Sequence, residues 1–250
     1  MSAIPVGERR FEIGRVVERT FSVIGRNFVA FYLLTLILSS LPTVVAEALS
    51  EAYRDGAAFG LASSLASLAI YLLNFITSLL VQGAVVWGAV ADLNGRKAGL
   101  GELFRQGAQR ALPVLGVSIV MGLATGLGLV LFLVPGLILA TVWCTAVPVT
   151  VIERPKGLAA LSRSADLTRG SRWAIFGLLM LYVVLALIEV TIAATLGRLI
   201  GATGPAYIVI VALIDALVVL VGAVGGAVLY VELRAAREGV APETLASVFD

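Results

Sequence analysis

The stretch PVTVIERPKGLAALSRSADLTRGSRWAIFGLLM, residues 148–180, decides how the chain is read. An apolar run ends at Ile152, a short basic segment follows, and a second apolar run opens at Trp173. Glu153-Arg154-Pro155 stops the first run, because proline lacks the N–H that would continue a helix. Over 156–169, Leu158, Leu161 and Ala165 line one side of a short helix, with Arg163, Ser164 and Asp166 pointing elsewhere. Gly170 suits a left-handed helix stop, and Ser171 suits the cap of the next helix.

Working outward, the same plan occurs twice more. In IGRVVERTFSVIGRNFVAFY (13–32), Ile13, Val17, Phe21, Ile24 and Phe28 share one face, opposite Arg15, Arg19, Ser22, Arg26 and the preceding Glu12. In LGELFRQGAQRALPVLG (100–116), Leu100, Leu103, Phe104, Ala108 and Ala111 oppose Glu102, Arg105, Gln109 and Arg110. Each segment reads as a basic amphipathic helix lying in the membrane interface, apolar side toward acyl chains. Each is followed by a hairpin of two apolar runs. Three such units, related by a pseudo-threefold axis, are one reading; the other is that any inner loop of a membrane chain becomes basic and amphipathic.

Composition agrees with a membrane chain. Hydrophobic residues make up 60% and charged residues 14%, against roughly 45–50% and about 25% in soluble domains. Mean hydropathy is +1.03. The runs do not alternate polar and apolar residues, so a transmembrane barrel is excluded and helices are expected. The expected fold is all-α and polytopic, with six transmembrane helices and three amphipathic interfacial helices on the cytoplasmic side. Its interfacial helices cover 11–27, 100–112 and 156–169; its spans cover 28–49, 61–92, 113–134, 135–152, 173–196 and 206–230; a cytoplasmic tail covers 231–250.

Finer features follow from single residues. Pro42 should kink the first span, and Pro113 should open the third. Asn74 and Gln82 suit hydrogen bonds between helices. Gly122 and Gly126 suit a close helix approach, as do Gly222 and Gly226. Turns are expected at the link 50–60, at Asn94-Gly95, at Pro135-Gly136 and at Gly201–Pro205. The N-terminus, with five arginines in residues 9–26 among acids and no cleavage site, is not a secretory signal.

Charge placement sets orientation. Lysines and arginines number five in the N-terminal segment, four after the second span, five after the fourth and two in the tail. Arg54 and Arg198 alone fall on the other side, leaving 16 of 18 together. The positive-inside rule then gives six spans with both termini cytoplasmic, in a bacterial inner membrane. The mixed acids argue against nucleic acid as a partner.

Histidine is absent, which removes imidazole as base or metal ligand. The one cysteine, Cys144, lies inside an apolar run and reads as a packing residue. No catalytic, cofactor or metal constellation is expected. The entry FEIGRVVERTFSVIGRNF, the VPG turn with AVPVTVIE after it, the loop GLAALSRSADLTRG and the ending YVELRAAREG resemble the membrane-domain family of glycerophosphoryl diester phosphodiesterases and the related YciC-like bacterial membrane proteins. The resemblance implies a six-span helical membrane protein with inner interfacial helices. Hydrolysis in fused relatives belongs to a separate barrel domain, so no catalytic residue is carried over.

Two sets of residues remain as candidates. Glu189 and Asp215 are the acids deep inside spans five and six, about eight and nine residues from the short turn joining them. At matching depth they would share a proton, as a proton or cation site or as a hydrogen bond between helices. Arg15, Arg19, Arg105, Arg110, Arg163 and Arg169 would line the inner leaflet and meet anionic lipid, each worth about 1 kcal/mol, or would only set topology. The leading expectation is a non-enzymatic accessory or scaffold that organises membrane lipids or a membrane-protein partner. The alternative is a small transporter or lipid-handling protein using the two acids.

Overall fold

A computed structural model describes residues 11–53, 61–200 and 205–238. Every regular element among them is a helix: α1 (Ile13–Tyr53), α2 (Leu61–Leu93), α3 (Leu100–Leu131), α4 (Leu133–Trp143), α5 (Ala146–Ile152), α6 (Ala159–Leu167), α7 (Arg172–Ile200) and α8 (Pro205–Glu238). Six spans are long and apolar enough to cross a membrane, with α4 and α5 together forming the fourth. The all-helical, multi-pass reading therefore holds.

The helices close a ring. α8 packs on α1, α1 on α2, α2 on α3 and α3 on α4, and α7 lies between α4 and α8. Inside the ring sits α5, touching α2, α3, α6 and α8, with all seven of its residues buried. The core gathers at the end that carries the basic segments. Val16, Val23 and Phe31 of α1 meet Val85, Trp87 and Val90 of α2, Leu103 of α3, and Leu220, Tyr230 and Leu233 of α8 there. Toward the other end, Leu65 and Tyr71 of α2, Leu123 and Val130 of α3, and Leu187 and Val190 of α7 face outward.

The boundaries differ from expectation in instructive ways. α1 runs through the first interfacial segment into the first span, with a kink at Asn27 (φ −123°, ψ 17°), while Pro42 lies within the helix. α3 is continuous through Pro113, so segments 100–112 and 113–134 form one element rather than two. Packing holds it before the proline: Leu103 and Gly107 seat against α2, where a Cβ on Gly107 would lie 2.7 Å from the Leu80 carbonyl. The next turn falls at Phe132 in extended conformation (φ −152°, ψ 117°). Pro135 and Gly136 sit in the first turn of α4, where a missing N–H costs nothing.

Close approaches also move. Cβ atoms on Gly122 or Gly126 would meet nothing within 4 Å, whereas one on Gly128 would lie 2.9 Å from the Gly136 Cα and one on Gly222 2.7 Å from the Tyr182 hydroxyl. Asn74 bonds the Ile70 carbonyl of its own helix at 3.3 Å instead of a neighbour. The turn at Asn94-Gly95 is where it was expected, with Gly95 at φ +78°, and Gly170 stops the α6 segment at φ +79°. Of the expected link at 50–60, residues 50–53 continue α1, and of the expected tail at 231–250, residues 231–238 continue α8 past the expected end of the sixth span. Residues 54–60 of that link, 201–204 of the expected turn and 239–250 of the tail lie outside the described residues.

Candidate functional site

The fourth span is broken between α4 and α5, at Cys144-Thr145. A helix end leaves carbonyls and N–H groups without intrahelical partners, and burying them bare is costly. Ser164 of α6 supplies both. Its hydroxyl donates to the Val142 carbonyl at 2.9 Å, accepts from the Thr145 N–H at 3.3 Å, and lies 2.9 Å from the Thr145 hydroxyl. Ser164, Thr145 and Thr168 are buried. The polar residues of the opening stretch thus fasten α6 onto the break.

Around that joint the basic end is tied by carboxylates. Arg163 of α6 grips Glu153, at the end of α5, through Nε at 2.9 Å and Nη2 at 3.2 Å, and also pairs with Glu238 of α8. Glu153 accepts from the Tyr230 hydroxyl at 2.9 Å, and Arg234 reaches both that hydroxyl and Glu238. The Glu153 hydrogen bond, reinforced by Glu238, raises Arg163 above the ordinary guanidinium pKa, so it stays cationic. Across the bundle, Arg19 and Arg15 of α1 pair with the buried Glu232 of α8. At the α1 kink, buried Asp92 accepts from Arg26 Nε at 3.0 Å and Nη2 at 2.5 Å, and from Asn27 Nδ2 at 2.7 Å.

Arg110 is the exception. It lies in the core, only 6% exposed, although its helical phase placed it on the polar side. Its Nε donates to the Val151 carbonyl at 3.0 Å, near the C-terminus of α5, and its guanidinium lies 5.7 Å from the Trp87 ring centre. The carbonyl end of α5 and the ring face both favour a cation there.

The six arginines proposed as lipid contacts therefore occupy three kinds of place. Arg15, Arg19 and Arg163 hold carboxylates of other helices, Arg110 is inside, and Arg105 and Arg169 are exposed. Sequence reading passed over the partners Glu153, Glu232 and Glu238 that they hold, and over Asp92, which pairs with Arg26. The signal lay in acids placed where apolar runs end on the basic side.

Glu189 and Asp215 come together. Their carboxyl groups lie within interaction range of each other between α7 and α8, each half-buried, with Tyr182 packed on Gly222 nearby. Two carboxyl groups at such close quarters repel when both are ionised, and a shared proton or a held cation relieves that repulsion.

A groove of about 440 Å³ opens between α4 and the start of α7, lined by Val134, Ile138, Val142 and Phe176, with Arg172 and Trp173 at one end. The Trp173 side chain is 87% exposed. No family model, curated protein or solved structure matches the chain.

Proposed function

We propose that this chain is a non-enzymatic integral membrane protein of the bacterial inner membrane, an accessory or scaffold that organises lipids or partner proteins at the inner leaflet. Its termini lie on the cytoplasmic side, and it is placed with the membrane-domain and YciC-like proteins that its sequence resembles. The observation that carries this reading is the division of labour at the basic end. Arg15, Arg19, Arg26 and Arg163 there are spent on carboxylates of other segments, which makes a firm platform. Around the platform, exposed Phe21, Phe104, Leu112, Leu158 and Trp173 accompany exposed Arg105, Arg169 and Arg172. Aromatic and apolar side chains beside exposed cations suit the headgroup level of an anionic leaflet. The exposed face Ile13, Phe21 and Phe28 is the one that an interfacial first segment would turn toward acyl chains.

The test is extraction of the full chain into polymer nanodiscs, followed by mass spectrometry of lipids and proteins that accompany it. Enrichment of anionic lipid, or a stoichiometric membrane-protein partner, is the expected result. Solute or lipid movement by the purified protein alone across vesicles would contradict it.

A second reading has its own observation. The Glu189–Asp215 pair spans α7 and α8, so a proton or cation taken there would bear on how the two helices pack. Under this reading the chain is a small transporter or lipid-handling protein. Glu189→Gln with Asp215→Asn would abolish a pH-driven flux in vesicles; a flux unchanged by the double substitution would remove the idea.

A further inference from the structure

We propose that the groove between α4 and the start of α7 binds an anionic phospholipid, one acyl chain along α4 and the phosphate against Arg172. The inference rests on the lipid-organising reading above and gives it a location. From Val134 to Val142 the groove follows nine residues of α4, ~12 Å over eight steps at 1.5 Å each. Its lining is almost wholly aliphatic and aromatic, broken by Thr141, whose hydroxyl is already used on the Leu137 carbonyl. Nothing along the wall asks for a polar ligand, and a volume of about 440 Å³ is ample for a chain.

Charge chooses the headgroup. Arg15, Arg19, Arg26, Arg96, Arg163 and Arg234 each hold a carboxylate. At the mouth of the groove the pattern breaks. Arg172 has no carboxylate partner among the described residues, and Arg237 spends Nη2 on the backbone carbonyl of Arg169. Arg169 reaches only Asp166, at 3.7 Å, with both side chains more than half exposed. Arg237 Nη2 would also lie 3.7 Å from a Cβ on Gly170, two residues before Arg172. Arg172 thus stands at the positive end of the 29-residue helix α7 as the groove-lining cation that no acid holds among the described residues, and Arg237 adds a second positive charge near the Arg169 backbone just before it. Trp173 follows Arg172 with its ring exposed, as an interfacial anchor would. An apolar slot that ends in an unspent cation and an indole matches a lipid with a negative headgroup, and matches neither a zwitterionic lipid nor a free phosphate as well.

The test uses the full chain in phosphatidylcholine vesicles carrying acyl-brominated phosphatidylglycerol or acyl-brominated phosphatidylcholine in rising fraction. Trp173 fluorescence is taken as the difference between the native chain and Trp173→Phe. Brominated phosphatidylglycerol should quench it at a lower fraction than brominated phosphatidylcholine. That preference should fall about fivefold in Arg172→Gln, the loss of one interfacial cation. Should that variant fail to fold, the native chain's preference should fall as salt rises. Equal quenching by the two lipids would overturn the site, as would a preference unchanged in Arg172→Gln. Shielding of Trp173 from both lipids would overturn it too, in favour of a protein or a second copy over the groove. If Trp173 shows no preference while anionic lipid still co-purifies, the site fails and the wider reading stands; if no anionic lipid is retained at all, both fail.

Discussion

The fourth and fifth spans are neighbours of opposite fate, and the less apolar of the two is the better buried. In the most apolar stretch of Leu133–Ile152, 61% of residues are buried; in that of Arg172–Ile200, 6% are. The fourth span is broken in the middle, yet the break is filled by Ser164 and α5 is buried throughout. The fifth is an uninterrupted helix with Ile175 as its one buried residue among those described. Continuity of helix therefore says little about how firmly a span is held. What holds a span in lipid is polar pairing and close packing, since lipid tails are as apolar as the side chains they would replace. The fourth span has both, and the fifth has the meeting of Glu189 with Asp215 and the Tyr182–Gly222 contact.

Substitutions can break this comparison, and the largest effect is expected where charge is buried. Glu232→Gln removes the acid shared by Arg15 and Arg19. Because those partners are about a third exposed and can rehydrate, the loss should be about 3 kcal/mol, the lower end for a broken buried pair. Thermal unfolding in detergent would show it; an unshifted midpoint would mean that the platform does not depend on the tie. Next comes Gly107→Ala, whose Cβ would press on the Leu80 backbone and on Ala84, for about 1–3 kcal/mol. Ser164→Ala should cost about 1–2 kcal/mol by leaving the Thr145 N–H bare and the Val142 carbonyl with only the longer bond from Thr168. On the fifth span the same measurement should barely respond. Gly222→Ala meets only the far end of Tyr182, which has room to swing outward, so less than ~1 kcal/mol is expected. Asp215→Asn should cost about 0.6 kcal/mol, the usual value of one hydrogen bond between membrane helices. Equal losses for Gly107→Ala and Gly222→Ala would erase the distinction between the two regions.

Much of this organisation is legible in the residues, and the illegible part has a physical cause. Apolar length and arginine placement gave six spans and a basic end, because those features answer to the bilayer alone. Asn27 kinks α1 one residue before the expected start of the first span. Depth in the spans likewise anticipated the meeting of Glu189 and Asp215 across a short turn. Which face of a helix meets protein was not legible. Val16, Thr20, Val23 and Asn27 form the packed face of α1, while Ile13, Phe21 and Phe28 look outward, and both faces are apolar enough to satisfy one periodicity. Arg110 shows the same limit: its charge put it outside, and the α5 carbonyl and the Trp87 ring draw it in. Pairings between residues some 65 to 213 positions apart, such as Asn27–Asp92 and Arg19–Glu232, depend on the closed ring and not on local spacing.

The most direct test of a firmly tied basic end beside a loosely held fifth span is a pair of distance distributions between spin labels in nanodiscs. With Cys144, the chain's one cysteine, replaced by alanine, labels would be placed at exposed Phe21 and Phe104 in one sample and at exposed Leu123 and Leu187 in another. A narrow distribution for the first pair and a broad or two-peaked one for the second is the predicted result. Equally narrow distributions would show that the fifth span is held as firmly as the rest, and would contradict the account.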